Sequence, residues 1–236
     1  MSAPRRELWL VCSHVGGAMK STLAALLAME VAAAGRSVLV VDAAPAGGPS
    51  GFALFRHRGI VARTGARQAG SHATLPVYAT HFPAVVGIGE DSSGDFLLPT
   101  GEEPGVTIVD LPQVPVGDMP GLLRAATQVV VPVPANAVML RTLLGFLDEL
   151  KDQRARPGRE FQARVVPTGA GLGTPLASAV DKFLQTYLRP VLSGAFLPHD
   201  DGLKRAIELN DEFDPAALAP AVRSNLRLLA TELLPA

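Results

Sequence analysis

The stretch LWLVCSHVGGAMKSTL, residues 8–23, runs from an apolar strand through a glycine pair into a helix, and its reading decides the rest of the chain. Residues 8–13 read as a strand. A helix is expected over 20–34, because Leu23, Leu26, Leu27, Val31 and Ala34 recur at helical spacing before Gly35. Backbone N–H groups at such a strand-to-helix turn form a concave nest, which attracts an anion through unpaired donors and the helix dipole. Residues 16–22 therefore read as a phosphate-binding loop. Gly16, Gly17, Ala18 and Met19 contribute backbone, Lys20 the cation, Ser21 the hydroxyl suited to Mg²⁺, and Thr22 a second hydroxyl in the first helical turn. The ordinary pattern G-x-x-x-x-G-K-[ST] fails at both glycines, since Ser13 or His14 stands near the first and Met19 at the second.

Two further strands end in acids. Residues 37–42, SVLVVD, form a continuous β-branched run of the kind buried on both faces of a parallel sheet, and they end in Asp42. Residues 105–110, GVTIVD, do the same and end in Asp110, the carboxylate that a Walker B strand offers to Mg²⁺. Ligands of doubly wound sheets collect at the carboxyl ends of strands, so Asp42 and Asp110 are expected to face the phosphate loop. For Asp42 a second reading, an acidic cap of the following turn, stays open.

The remaining chain alternates strand and helix. Strands are expected at 75–80, 128–134, 161–166 and 192–198, and helices at 122–127, 136–153, after Thr174, at 200–209 and at 218–234. In the 136–153 helix Leu140, Leu143, Leu144, Leu147 and Leu150 make a leucine stripe that reads as core. The pattern predicts an α/β fold: a mostly parallel sheet with helices on both faces, in one domain spanning residues 1–236. A hydrophobic content of 48% over 236 residues suffices for one substantial core.

Charge is uneven along the chain. A net charge of −1 excludes the global basicity of a nucleic-acid coat protein. Yet residues 43–89 contain no acid and carry Arg56, Arg58, Arg63 and Arg67, either an anion-facing surface or an ordinary solvated face. Residues 46–51 read as a mobile loop, and 89–104 as an exposed acidic one. The single cysteine, Cys12, excludes a disulfide framework within one chain and fits a reducing cytoplasm. No signal peptide or run of 18 apolar residues appears, so a soluble, cytoplasmic protein without a membrane partner is expected.

The loop resembles the deviant K-G-G-x-G-K-[ST]-T motif of the ParA/MinD family of partitioning and positioning ATPases, with its MipZ and short ParF-like branches. Gly16, Gly17, Lys20, Ser21 and Thr22 match; Val15 replaces the signature lysine and Met19 the last glycine. The family's D-x-D-P-Q text reads Asp42-Ala43-Ala44-Pro45-Ala46 here, so Ala44 replaces the acid that positions the attacking water, and the family's D-x-P text is present at Asp110.

The resemblance implies a P-loop NTPase domain that binds ATP or ADP with Mg²⁺ held by Ser21, Asp42 and Asp110, with Lys20 and Asp42 as catalytic candidates. It implies a nucleotide-dependent homodimer, a ParB-like activator, and non-specific DNA or another cargo, with association to the nucleoid. Pro198 takes the position near the adenine. Lys204 and Arg205, or the arginines at 56, 58, 63 and 67, take the DNA-facing role. Loss of the acid at Ala44 and of the lysine at Val15 implies slow hydrolysis, with His14 or an arginine of the 56–67 span as substitutes. The alternatives are a non-hydrolysing pseudo-ATPase acting as a structural or regulatory partner, and a small-molecule synthase or kinase on the same fold, as in the dethiobiotin synthetase relatives.

Overall fold

Short β-branched runs flanked by helices pair in parallel, because each connection carries the chain back across a sheet face before the next strand starts. The computed structural model describes residues 7–44, 60–62, 77–81, 86, 89, 105–170, 175–203 and 218–234. In chain order the elements are β1 (Glu7–Val11), α1 (Lys20–Ala33), β2 (Val38–Asp42), β3 (Ile60–Ala62), β4 (Val77–His81), β5 (Val106–Asp110), α2 (Pro120–Ala125), β6 (Gln128–Pro134), α3 (Ala137–Arg154), β7 (Gln162–Ala170), α4 (Pro175–Tyr187), β8 (Leu197–Pro198) and α5 (Pro220–Leu233). The strands form one sheet in the order β3-β4-β2-β5-β1-β6-β7-β8. Every pairing is parallel.

The strand order dictates the layers. From β1 the chain moves to one side, through α1 to β2; from β5 it crosses back through α2 to β6 and continues through α3 and α4 to β7 and β8. Right-handed crossovers running in opposite directions place their helices on opposite faces. Accordingly α1 and α5 cover one face together with Trp9, Val11, Val38, Val40 and Ile108. The other face is covered by α2, α3 and α4 over Leu8, Leu10, Leu39, Val41 and Val109. Successive residues of β1 thus enter different cores, which is why the strand is apolar from Leu8 to Val11. The direction reverses at β1, between β5 and β6, and such switch points open a crevice at the carboxyl edge.

Several details differ from the sequence expectations. The strand expected at 75–80 is β4, and an unforeseen strand, β3, lies between Arg58 and Arg63 as its edge partner. On α3 the buried positions are Leu140, Leu143, Phe146 and Leu150, with Leu147 partly buried, whereas Leu144 is 39% exposed. One residue step turns a helix by about 100°, so Leu144 leaves the face that Leu143 occupies. The strand expected at 161–166 extends to Ala170, and the one at 192–198 shortens to two residues plus an isolated bridge between Leu192 and Val165.

Side chains of α5 complete that short edge. The Glu232 carboxylate accepts from Ser193 Oγ at 2.7 Å and from the Gly194 amide at 3.0 Å, and Asn225 Oδ1 accepts from the Phe196 amide at 3.1 Å. Across the same face Arg227 of α5 meets Glu30 of α1 at 3.7 Å. No helix among the described residues is long and apolar enough to cross a membrane. The loop at 46–51, residues 90–104, Thr174 and most of the helix expected at 200–209 lie outside the described residues, though 201–203 are helical.

Candidate phosphate and cation site

The turn after β1 has the backbone of an anion nest. Gly17 has φ +71° and Met19 φ +63°, both in the left-handed region, and Met19 is the only non-glycine of that kind among the described residues. For a side chain bearing a Cβ this conformation costs about 1–2 kcal/mol, so the surrounding structure must impose it. It sets Met19 as the cap of α1, with the Leu23 amide bonded to the Met19 carbonyl at 2.9 Å and no side chain capping the first turn. The open N–H groups of that turn are left for a ligand. Gly16 lies in ordinary backbone, and a Cβ there would only touch Gln113 Oε1 at 3.8 Å. Ala18 is buried, and its carbonyl lies 3.4 Å from the hydroxyl of Thr168 on β7.

Lys20 opens α1, and Thr22 is buried in the same turn. The carboxylates stand together: Asp42 and Asp110 are register partners at the ends of β2 and β5, and both are buried. The Asp42 Oδ1 accepts from the Ala44 amide at 2.9 Å, so Asp42 also plays the turn-capping part left open above. Asp110 accepts from the Ser21 hydroxyl. Burial pushes the Asp110 carboxyl up to about 7, with Asp42 repelling its charge while the Ser21 hydroxyl and Lys20 pull the other way. The Oδ1 of Asp110 is buried and has no hydrogen-bond partner.

An orphaned carboxylate oxygen is expensive unless a cation or water meets it. Two adjacent acids with a serine hydroxyl are a sparse oxygen set, the kind that suits Mg²⁺, which keeps several waters and takes its other ligands from phosphates. Asp42, Asp110 and Ser21 would hold such an ion, and Lys20 with the amides of the turn would hold the phosphates. Bound together, the ion and lysine would supply charge neutralisation.

The structure thus gathers Gly16, Gly17, Ala18, Met19, Lys20, Ser21, Thr22, Asp42 and Asp110 in one place. Pro198 is buried at the end of β8, at the same carboxyl edge of the sheet but separated from β1 by β6 and β7. Arg56, Arg58, Arg63, Arg67, Lys204 and Arg205 lie outside the described residues. His14 turns away from the role the sequence offered it. Its Nε2 bonds the Met139 carbonyl at 2.9 Å and its ring packs at a tilt against Phe146, centroids 5.5 Å apart, both partners on α3. A residue that sequence reasoning missed is Gln113, whose Nε2 donates to the His14 carbonyl at 2.9 Å. Its one signal was its position three residues after Asp110.

The architecture is similar to that of solved ParA-type ATPases. An aspartate-to-alanine variant of McdA from Cyanothece, bound to ATP, is similar at a TM-score of 0.71 and 15% identity, covering 98% of this chain and 97% of its own. A ParA family ATPase from Chlorobium tepidum is similar at a TM-score of 0.63 and 13% identity, covering 98% of this chain and 100% of its own. Cobyrinic acid a,c-diamide synthase from Mycobacterium smegmatis, with ADP and magnesium, is similar at 0.61 and 17% identity, covering 89% of this chain and all of its own. The sequence matches no protein-family model and no curated protein.

Proposed function

We propose that the chain is a ParA-type nucleotide-dependent switch for DNA partitioning or cargo positioning. ATP or ADP with Mg²⁺ binds at Gly16 to Thr22, with Asp42 and Asp110 on the ion and Pro198 towards the base. ATP favours a homodimer, hydrolysis is slow, and a ParB-like activator and non-specific DNA are the partners, on the nucleoid of the cytoplasm. Energy from the γ-phosphate selects the dimer, and its loss releases it. The observation that carries the reading is the partnerless Asp110 Oδ1 beside Ser21 and Asp42, at the foot of a helix whose first turn is uncapped.

A second reading is a pseudo-ATPase that binds nucleotide and never hydrolyses it. It is favoured by Val15 and Ala44, which offer no lysine and no acid, and by the turned-away ring of His14. The fold shared with the cobyrinic acid a,c-diamide synthase keeps a small-molecule synthase as the remaining alternative.

Calorimetric titration of Mg·ATP and Mg·ADP into the wild type and Lys20→Ala tests the common premise. Affinity in the wild type that Lys20→Ala abolishes is the expected result; equal affinity in both removes the phosphate-loop assignment. Sedimentation with each nucleotide reads the dimer. Replacing Arg56, Arg58, Arg63 and Arg67 by Gln reads the DNA role, which salt should weaken steeply.

A further inference from the structure

We propose that Gln113 positions the attacking water, the part left vacant by Ala44; this rests on the nucleotide reading above. Past Asp110 the chain passes the buried Leu111 and the half-buried Pro112, and emerges at the exposed Gln113. The Gln113 Nε2 is pinned to the His14 carbonyl at 2.9 Å. That bond fixes the carboxamide plane and leaves Oε1 beside the mouth of the loop, 3.8 Å from where a Cβ on Gly16 would stand. Gly16 has no side chain to fill that space. Among the described residues Oε1 has no partner, so its acceptor is available to a water while its donor is anchored to the loop that holds the phosphates.

Several other polar side chains around the described loop already have partners, although Asp110 Oδ1 and His14 Nδ1 do not. Ser13 is buried and accepts from the Val15 amide at 3.4 Å. His14 faces α3. Asp42 holds the Ala44 amide, and Asp110 holds Ser21. A neutral carboxamide suits the task, because orienting water requires an acceptor and not a base. In the step itself the water oxygen bonds to the γ-phosphorus as the bond from that phosphorus to the β,γ-bridging oxygen breaks. ADP leaves with the electron pair, the proton passes to a phosphate oxygen, and Gln113 gains and loses nothing.

The test compares affinity for Mg·ADP with affinity for Mg·ADP plus fluoroaluminate, which mimics the γ-phosphoryl in transfer, in wild type, Gln113→Ala and the shape-preserving Gln113→Met. Both variants should lose on the order of 100-fold in the fluoroaluminate complex and about twofold or less in Mg·ADP alone. Single-turnover phosphate release should fall in parallel and return when Ala44→Asp is added to Gln113→Ala. An equal loss with both ligands would make Gln113 a strap for the loop and overturn the proposal, as would no loss with either. Absence of Mg·ADP binding to the wild type would overturn the nucleotide reading itself, and this role with it.

Discussion

Asp42 and Asp110 end neighbouring parallel strands in direct register, and the second carries a buried oxygen that nothing in the described protein meets. The carboxyl of Asp110 is raised from an ordinary value near 3.8 to about 7, so between these values the folded state binds a proton that the unfolded state releases. Its charge therefore destabilises the ligand-free fold fully above about pH 7, and the penalty fades as pH falls towards 4. Asp110→Asn should stabilise the ligand-free protein by a few kcal/mol at about pH 8 and by much less at about pH 5. Urea denaturation at the two pH values checks this, and Mg²⁺ should stabilise the wild type but not the variant. Equal gains at both pH values would refute the assignment of the penalty to charge.

Met19 pays for a left-handed backbone and recovers something by resting against the core beside α1. Met19→Ala keeps the strain and loses the contact; Met19→Gly loses both. The glycine variant should thus be the more stable of the two by about 1 kcal/mol, the reverse of helix propensity, and should bind Mg·ATP more tightly than the wild type. Thermal melts and calorimetry of the pair decide it. An alanine variant as stable as the glycine one would mean that the strain is absent.

Cys12 lies one residue beyond β1, fully enclosed, and burial pushes its thiol up to about 12 despite the nearby Lys20. Thiolate is the reactive form, so an alkylating reagent near neutral pH should label Cys12 only on unfolding. Mass spectrometry across a urea series should show labelling that coincides with the loss of Trp9 fluorescence structure. Labelling that precedes unfolding would show the start of the loop opening by itself.

Ala44 and Val15 remove an acid and a lysine from the resembled mechanism. Positioning and charge stabilisation supply nearly all of phosphoryl-transfer catalysis, so losing the lysine and leaving the water to a neutral carboxamide in place of an acid should cost on the order of a thousandfold or more in rate. Steady-state phosphate release by the wild type should be barely measurable, and Ala44→Asp with Val15→Lys should raise it. Robust turnover by the wild type that Lys20→Ala abolishes would sink the pseudo-ATPase reading.

What was legible in the sequence follows from how strongly each feature writes itself into local composition. Strands buried on both faces are apolar along most of their length, so β1, β2, β5 and β6 stood out, and two acids at strand ends marked the carboxyl edge. The three-residue edge strand β3 carries no such run and passed unseen inside an arginine-rich span. Met19 was legible as the residue standing where the resembled loop has its last glycine, and in the structure its φ is positive. The contact between Gln113 and His14 was not legible, because 99 residues separate partners that only the β1–β5 pairing brings together. For the same reason the ring of His14 could not be aimed from sequence: its partner on α3 is 125 residues away.

The face of the sheet behind α1 draws on the chain from Trp9 to Leu233. A ribosome that has delivered Asp110 has delivered the loop, the lysine and both acids, yet the helix that opens with Lys20 still lacks its covering layer. That layer arrives only with residues 218–234, whose Glu232 and Asn225 also fasten the outer edge of the sheet. During synthesis the site is thus spelled out early and made rigid late, so a nascent chain should be unable to clasp its ligand until α5 has docked, and premature termination should yield products that chaperones hold and ligand cannot rescue.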